Sequence, residues 1–257
     1  MTAQPPPRQP PPATGEPLDA WPDAGAGEGG GAIVDIDGTL VDTSYQHTIA
    51  WGRAFAEHGV EVAHWRVHRH NGMGGDQLVA AVAGDAVEAR LGDAIRASES
   101  HRYAELIAEV RPLPGARDLL AGLRSLGYQV VLASSAGRAE VERYVAMLDA
   151  EELVAAWTTA ADVERTKPHP DLVAAAAERL PGAGTLVMIG DTAWDAVAAA
   201  RAGLPSIGLL SGGFGAAELH DAGCAAVYAD AADLAANLQA ALAAAAAARS
   251  THGAPVV

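Results

Sequence analysis

Ala32-Ile33-Val34-Asp35-Ile36-Asp37-Gly38-Thr39 is a short apolar run that breaks into acid, glycine and hydroxyl. That is the pattern of a buried strand stopping at a polar loop. Two similar runs follow far downstream: Tyr128-Gln129-Val130-Val131-Leu132-Ala133 ends in Ser134-Ser135, and Thr185-Leu186-Val187-Met188-Ile189 ends in Gly190-Asp191. Weaker runs at 155–159, 206–210 and 225–228 predict further strands. Helical patterns lie between them, over 116–126 before Gly127, 138–148, 170–180, and 193–202 before Gly203. Alternating strand and helix predicts an α/β, Rossmann-like parallel sheet covered on both faces. Ligands in such sheets bind beyond the carboxyl ends of the strands, so Asp35, Ser134 and Asp191 are expected to meet in one crevice.

Residues 43–110 interrupt the alternation with helix-forming sequence richer in His, Trp and Arg, read as a helical insertion broken by Gly84 and Gly92. Arg111-Pro112-Leu113-Pro114-Gly115 re-enters the main unit, since residues next to proline favour extended backbone. The expected organisation is a disordered Pro/Gly-rich arm over 1–31, a core of 32–42 and 111–245, a helical domain of 43–110, and a flexible tail over 246–257. The alanine run at 240–248 predicts a C-terminal helix.

With 257 residues, half of them hydrophobic, the chain can bury a full core. One cysteine, Cys224, precludes an internal disulfide and fits a reducing cytoplasm. A net charge of -15 without any Lys/Arg cluster argues against a nucleic-acid or anionic-membrane partner. The arm lacks the apolar segment of a signal peptide, and no stretch of about 18 strongly apolar residues is present to span a bilayer. A bound divalent cation would locally reverse the potential of so acidic a chain.

Asp35 and Asp37 are two apart at a strand end, so their carboxyl groups can share one side of the backbone. Such a pair favours a shared proton or a bound cation, although Asp-Gly is also a common turn. Ser134, with Ser135 behind it, could donate to a phosphoryl oxygen or simply cap a helix. Lys167 precedes Pro168-His169-Pro170 and the start of a helix, a rigid setting for an ammonium, or else it is an ordinary exposed lysine. Asp191 and Asp195 are four apart across a strand-to-helix turn, so one can ligate a cation while the other sits one turn below.

Taken in order, Val34-Asp35-Ile36-Asp37-Gly38-Thr39-Leu40, Ser134, Lys167-Pro168 and Gly190-Asp191-Thr192-Ala193-Trp194-Asp195 resemble the four motifs of the haloacid dehalogenase superfamily, over residues 32–242. The likeness is to its phosphoglycolate phosphatase and beta-phosphoglucomutase branch, with a helical cap after the first strand. It implies a phosphatase in which Asp35 attacks phosphorus and Asp37 is the acid and base. It further implies that Ser134 and Lys167 hold the phosphoryl group, and that Asp35, the Asp37 carbonyl and Asp191 ligate Mg2+, with Asp195 behind them. Asp37 and the absence of lysine from 43–110 set the chain apart from haloacid dehalogenases proper and from phosphonate hydrolases that form a Schiff base. The implied substrate is a small phosphorylated metabolite.

Within the insertion, His70-Asn71-Gly72-Met73-Gly74-Gly75-Asp76 resembles a cap loop that dips toward the site, making Gly74 and Gly75 candidate substrate contacts, or it is a plain turn. His47 is expected to face the cleft. Trp51 and Phe55 read as core of the insertion, and His64, His68 and His70 as a solvated helix face or, alternatively, a transition-metal site. Asp42-Thr43-Ser44-Tyr45-Gln46-His47 and Trp51 resemble the hinge of beta-phosphoglucomutase. The mutase's two substrate-gripping cations, however, fall near Gly75 and Gly137, with Arg138 as a candidate substitute. A phospho-receiver domain is the non-enzymatic alternative, opposed by the Asp35/Asp37 spacing and the long insertion.

Overall fold

The structure, a computed structural model, describes residues 29–252. Most of the expected N-terminal arm and residues 253–257 of the expected tail lie outside the described residues. Six parallel strands form one sheet: β1 (Gly31–Val34), β2 (Gln129–Ala133), β3 (Ala156–Thr158), β4 (Leu186–Gly190), β5 (Ser206–Leu209) and β6 (Cys224–Tyr228), in the order β3-β2-β1-β4-β5-β6. The order reverses at β1, where chains leave toward β2 on one side and β4 on the other. That switch point is where open α/β sheets form their ligand crevice.

The strands alternate sides with period two. Ala32 and Val34 of β1, Val130 and Leu132 of β2, and Val187 and Ile189 of β4 face one core, packed by α5 (Ala116–Ser125) and α6 (Arg138–Met147). Ile33, Val131, Ala133 and Met188 face the other, packed by α7 (Asp171–Glu178) and α8 (Ala193–Arg201). Burial on both faces explains why these strands read as continuous apolar runs. Helix α5 illustrates how a pattern becomes packing: Leu119, Leu120 and Leu123 are fully buried on one stripe. Each such leucine contributes roughly 1.5–3 kcal/mol.

The insertion consists of α1 (Ser44–Glu57), α2 (His64–His68), α3 (Gly75–Ala83) and α4 (Asp85–Leu106), with its own apolar cluster of Trp51, Phe55, Val67, Leu78, Val79, Val82 and Ile95. It leaves and re-enters the core through paired backbone: Asp42 N–H donates to the Arg111 carbonyl at 2.9 Å and Leu113 N–H to the Leu40 carbonyl at 2.9 Å. Gly84, at φ 89°, separates α3 from α4 as expected. Gly92 does not break the helix; it lies inside the 22-residue α4. A mid-helix glycine costs only about 1 kcal/mol, and the contacts of α4 with α1 and α3 outweigh that. The chain closes with α9 (Ala216–Asp221), α10 (Ala231–Ala236) and α11 (Leu238–His252). Among the described residues no helix is long and apolar enough to cross a membrane.

Candidate active site

The carboxyl end of β1 delivers Asp35, whose N–H donates to the Ile189 carbonyl of β4 at 2.9 Å. The chain then turns through Gly38 at φ 81°. A side chain there would be strained and would also collide with Asp191 Oδ2. Thr39 follows and ties the two motifs together, donating to Asp191 Oδ1 at 2.7 Å and lying 3.3 Å from Asp35 Oδ2.

Lys167 is fully buried beneath these carboxylates. Its ammonium donates to Asp35 Oδ1, donates to the Ala133 carbonyl at 3.2 Å, and lies 2.7 Å from Asp195 Oδ1 as an ion pair. It is also the only lysine in the chain. Asp195 uses its other oxygen to cap α8, accepting from Thr192 N–H at 3.1 Å and Thr192 Oγ1 at 2.6 Å. Asp35, Asp191 and Asp195 come within 4.8 Å of one another, all buried.

One ammonium therefore faces three carboxylates. Burial, opposed by Lys167 and reinforced by Asp195 and Asp37, pushes Asp35 up to about 7. Burial and the charges of Asp35 and Asp195 push Asp191 well above the carboxylate range. Burial pulls Lys167 down, but Asp195 and Asp35 more than restore it, so it stays charged. Crowding of this kind is relieved by a hard divalent cation, and an all-carboxylate oxygen set suits Mg2+. Gly212 fits the same reading, since a Cβ there would run into Asp191 Oδ2. Asp35 and Asp191 are the carboxylates that would hold the ion, with the Asp37 carbonyl expected beside them, while Asp195 is taken up by Lys167 and Thr192.

Asp37 belongs to a different network. Its carboxylate accepts from Ser134 Oγ at 2.9 Å and Thr43 Oγ1 at 3.0 Å, and its Oδ1 lies 3.6 Å from His47 Nε2. His47 Nδ1 is 3.0 Å from Glu99 Oε1 on α4, and its ring stacks on Tyr103 at 3.8 Å and 3°. Burial disfavours charge at both Asp37 and His47. The His47–Asp37 and His47–Glu99 contacts overcome it, holding Asp37 below its ordinary value and raising His47 to about 10.

A cavity of about 220 Å³ opens above these groups, between the strand ends and the insertion. Asp35, Asp37 and Asp191 line it from the core, and His47, Trp51, Gly74 and Gly75 from the insertion. Trp51 is thus both core and wall. Ser134 departs from expectation: it is fully buried with its hydroxyl spent on Asp37, and Ser135 and Ala136 form the wall instead. The backbone of the glycine pair is also engaged. Gly74 N–H donates to Thr166 Oγ1 at 3.0 Å, and the Gly75 carbonyl accepts from Arg96 at 3.0 Å.

The histidine cluster is not brought together. His68 Nε2 lies 3.0 Å from the Gly212 carbonyl, His70 Nδ1 lies 2.7 Å from the Arg66 carbonyl, and His64 packs over Gly52. Sequence reasoning missed Thr39, Glu99, Arg96 and Glu140 as site residues. Thr39 stood inside the quoted motif, but the other three lie on helix faces whose direction only packing decides. It also missed a latch: Asp76 at the start of α3 accepts from Thr166 N–H at 3.0 Å and from the Thr166 hydroxyl, one residue before Lys167.

A profile of the haloacid dehalogenase-like hydrolases matches residues 31–203. The chain is 28% identical to the validoxylamine A 7'-phosphate phosphatase of Streptomyces hygroscopicus subsp. limoneus, over 70% of this chain and 85% of that protein. It is 30% identical to the phosphonoacetaldehyde hydrolase of Bordetella pertussis, over 70% and 72%. Its fold superposes on a hydrolase from Pseudomonas syringae with TM-score 0.77 and 33% identity, over 82% of this chain and 98% of that one. With the four motifs gathered at the switch point of a matching sheet, the chain belongs to the haloacid dehalogenase-like hydrolase family and is a phosphatase-type enzyme of it.

Proposed function

We propose that the protein is a Mg2+-dependent phosphatase that hydrolyses a small phosphorylated metabolite through an aspartyl-phosphate on Asp35. The observation that carries this reading is the convergence of Asp35, Asp37, Asp191 and Lys167 beside one cavity, with the two aspartates of the pair held in separate networks. Asp35, beside Asp191 and Lys167, is placed for nucleophilic attack, and Asp37, hydrogen-bonded to Ser134 and Thr43 and paired with His47, is placed for proton transfer. Asp35, fixed by Lys167 and Thr39, attacks phosphorus as the bond to the leaving oxygen breaks. Asp37, held by Ser134 and Thr43, passes to that oxygen a proton drawn from the neighbouring His47 imidazolium. It then takes a proton from the water that cleaves the acyl-phosphate and returns it to His47, releasing inorganic phosphate and restoring both carboxylates and the imidazolium. Bound Mg2+ would neutralise charge on the phosphoryl oxygens. The insertion then acts as a cap that excludes bulk water, with the Asp76–Thr166 contact holding it against the loop that carries Lys167.

Carbon–phosphorus cleavage through a Schiff base, the mechanism attributed above to phosphonate hydrolases, is opposed by the absence of lysine from the insertion. A phosphomutase is opposed at Gly75 and Gly137, and Arg138 is turned toward Asp162, 4.0 Å away. The lone buried Cys224 supports a cytoplasmic setting.

The test is phosphate release from a panel of small phosphoesters with and without Mg2+, for wild type and Asp35→Asn. Turnover is expected to need the metal and to fall by at least about a thousand-fold in the variant. Acid-quenched wild type should carry phosphate on the peptide containing Asp35. Wild-type turnover in Asp35→Asn would end the covalent reading.

A further inference from the structure

The cavity has no cation to spare. Among the described residues that line it, only His47 and Arg96 carry cationic groups. His47 sits between Asp37 and Glu99. Arg96 is committed to Glu88 at 2.9 Å, to Asp93 at 2.8 Å and to the Gly75 carbonyl. Lys167 is buried below, with Asp35 and Asp195. The wall also carries Glu140 on the first turn of α6, a half-buried carboxyl with neither hydrogen bond nor ion pair to any described residue. Burial, opposed by His47 and reinforced by Asp37 and Glu99, pushes it up to about 7. Glu140 thus faces the cavity without a side-chain partner among the described residues.

We propose that Glu140 reads the charge of the leaving alcohol, so that the enzyme selects phosphate esters of amine-bearing polyols and rejects those whose alcohol carries a carboxylate or a second phosphate. This rests on the phosphatase reading above. An ammonium entering the cavity gives Glu140 a charge-assisted hydrogen bond, while a carboxylate meets Glu140 and Glu99 with no free cation to receive it. Ser100 of the insertion and Ser135 of the core, the latter donating to the Gly72 carbonyl at 3.3 Å, also line the cavity with hydroxyls that suit a polyol. The cavity volume, about 220 Å³, lies below the roughly 300–1,000 Å³ of drug-sized sites, which limits the alcohol to a small one.

Three six-carbon esters that differ in charge provide the test: glucosamine 6-phosphate, glucose 6-phosphate and 6-phosphogluconate, compared by kcat/KM with Mg2+ present. Wild type should favour the amine over the neutral sugar by about ten-fold and over the carboxylate by about a hundred-fold. Glu140→Gln should bring the amine and neutral esters within about two-fold, and Glu140→Arg should raise the carboxylate ester above the amine. The inference is overturned if wild type hydrolyses 6-phosphogluconate as well as glucosamine 6-phosphate, a result that needs no variant to fold. It is overturned equally if the amine-to-neutral ratio is the same in wild type and Glu140→Gln. In both cases released phosphate leaves the phosphatase reading standing. If no ester is hydrolysed, p-nitrophenyl phosphate included, that reading falls and takes this one with it.

Discussion

His47 holds its proton because two carboxylates, Asp37 and Glu99, outweigh its burial, and that displacement has a sign that can be measured. Its value rises from 6.5 to about 10 on folding. The imidazolium therefore contributes its full stabilisation below pH 6.5, and loses it progressively as pH climbs toward 10. The loss should be about 1.5–3 kcal/mol, the usual worth of hydrogen bonds to a charged group. Denaturant unfolding of metal-free protein at pH 6 and pH 10 checks this, with His47→Gln as control. The variant should lack the alkaline decline that wild type shows. At this scale the sequence was most legible where chemistry needs adjacent residues. Asp35, Asp37 and Asp191 could be read because each ends an apolar strand. Glu99 could not, because a glutamate on a long polar helix looks alike whether it meets a buried histidine or water.

Helix α4 of the insertion and α6 of the core meet at a hydroxyl pair, Tyr103 to Tyr144, both buried. Replacing Tyr103 by Phe leaves the Tyr144 hydroxyl without a partner, which should cost about 1–3 kcal/mol. Tyr103→Phe with Tyr144→Phe should recover most of that, because no orphan remains. A double-mutant cycle by thermal unfolding decides; additive losses would show that the pair does not couple. Secondary structure was legible here as periodicity: the strand runs and the helices over 116–126, 138–148 and 193–202 differ from the observed elements by about a residue. Gly92 was not legible, because its helix-breaking tendency is local and the packing that overrides it comes from α1 and α3. The Asp76–Thr166 latch was hidden for a similar reason, joining residues 90 apart in sequence.

The molecule as a whole carries a net charge of -15 and is expected to act on an anion. Its field should slow encounter, and screening should relieve the slowing. Raising ionic strength from about 10 to about 200 mM at fixed free Mg2+ should increase kcat/KM several-fold, mainly through KM. A flat or falling salt profile would mean that local positive potential at the metal site already governs capture. Charge balance and the absence of basic clusters could be read from composition alone. Where the site gathers took the strand-end pattern as well, which predicted that Asp35, Ser134 and Asp191 meet in one crevice, as the order β3-β2-β1-β4-β5-β6 brings about.

Amine chemistry on this protein has a single internal address. Every other basic side chain that could bear a fixed charge is an arginine, and the one lysine is sealed under the carboxylates that need it. Acylating reagents, amine cross-linkers and resin coupling would therefore leave the folded surface untouched apart from the amino terminus. Labelling at Lys167 would then serve as a clock for opening of the core, readable by mass alone and independent of any substrate.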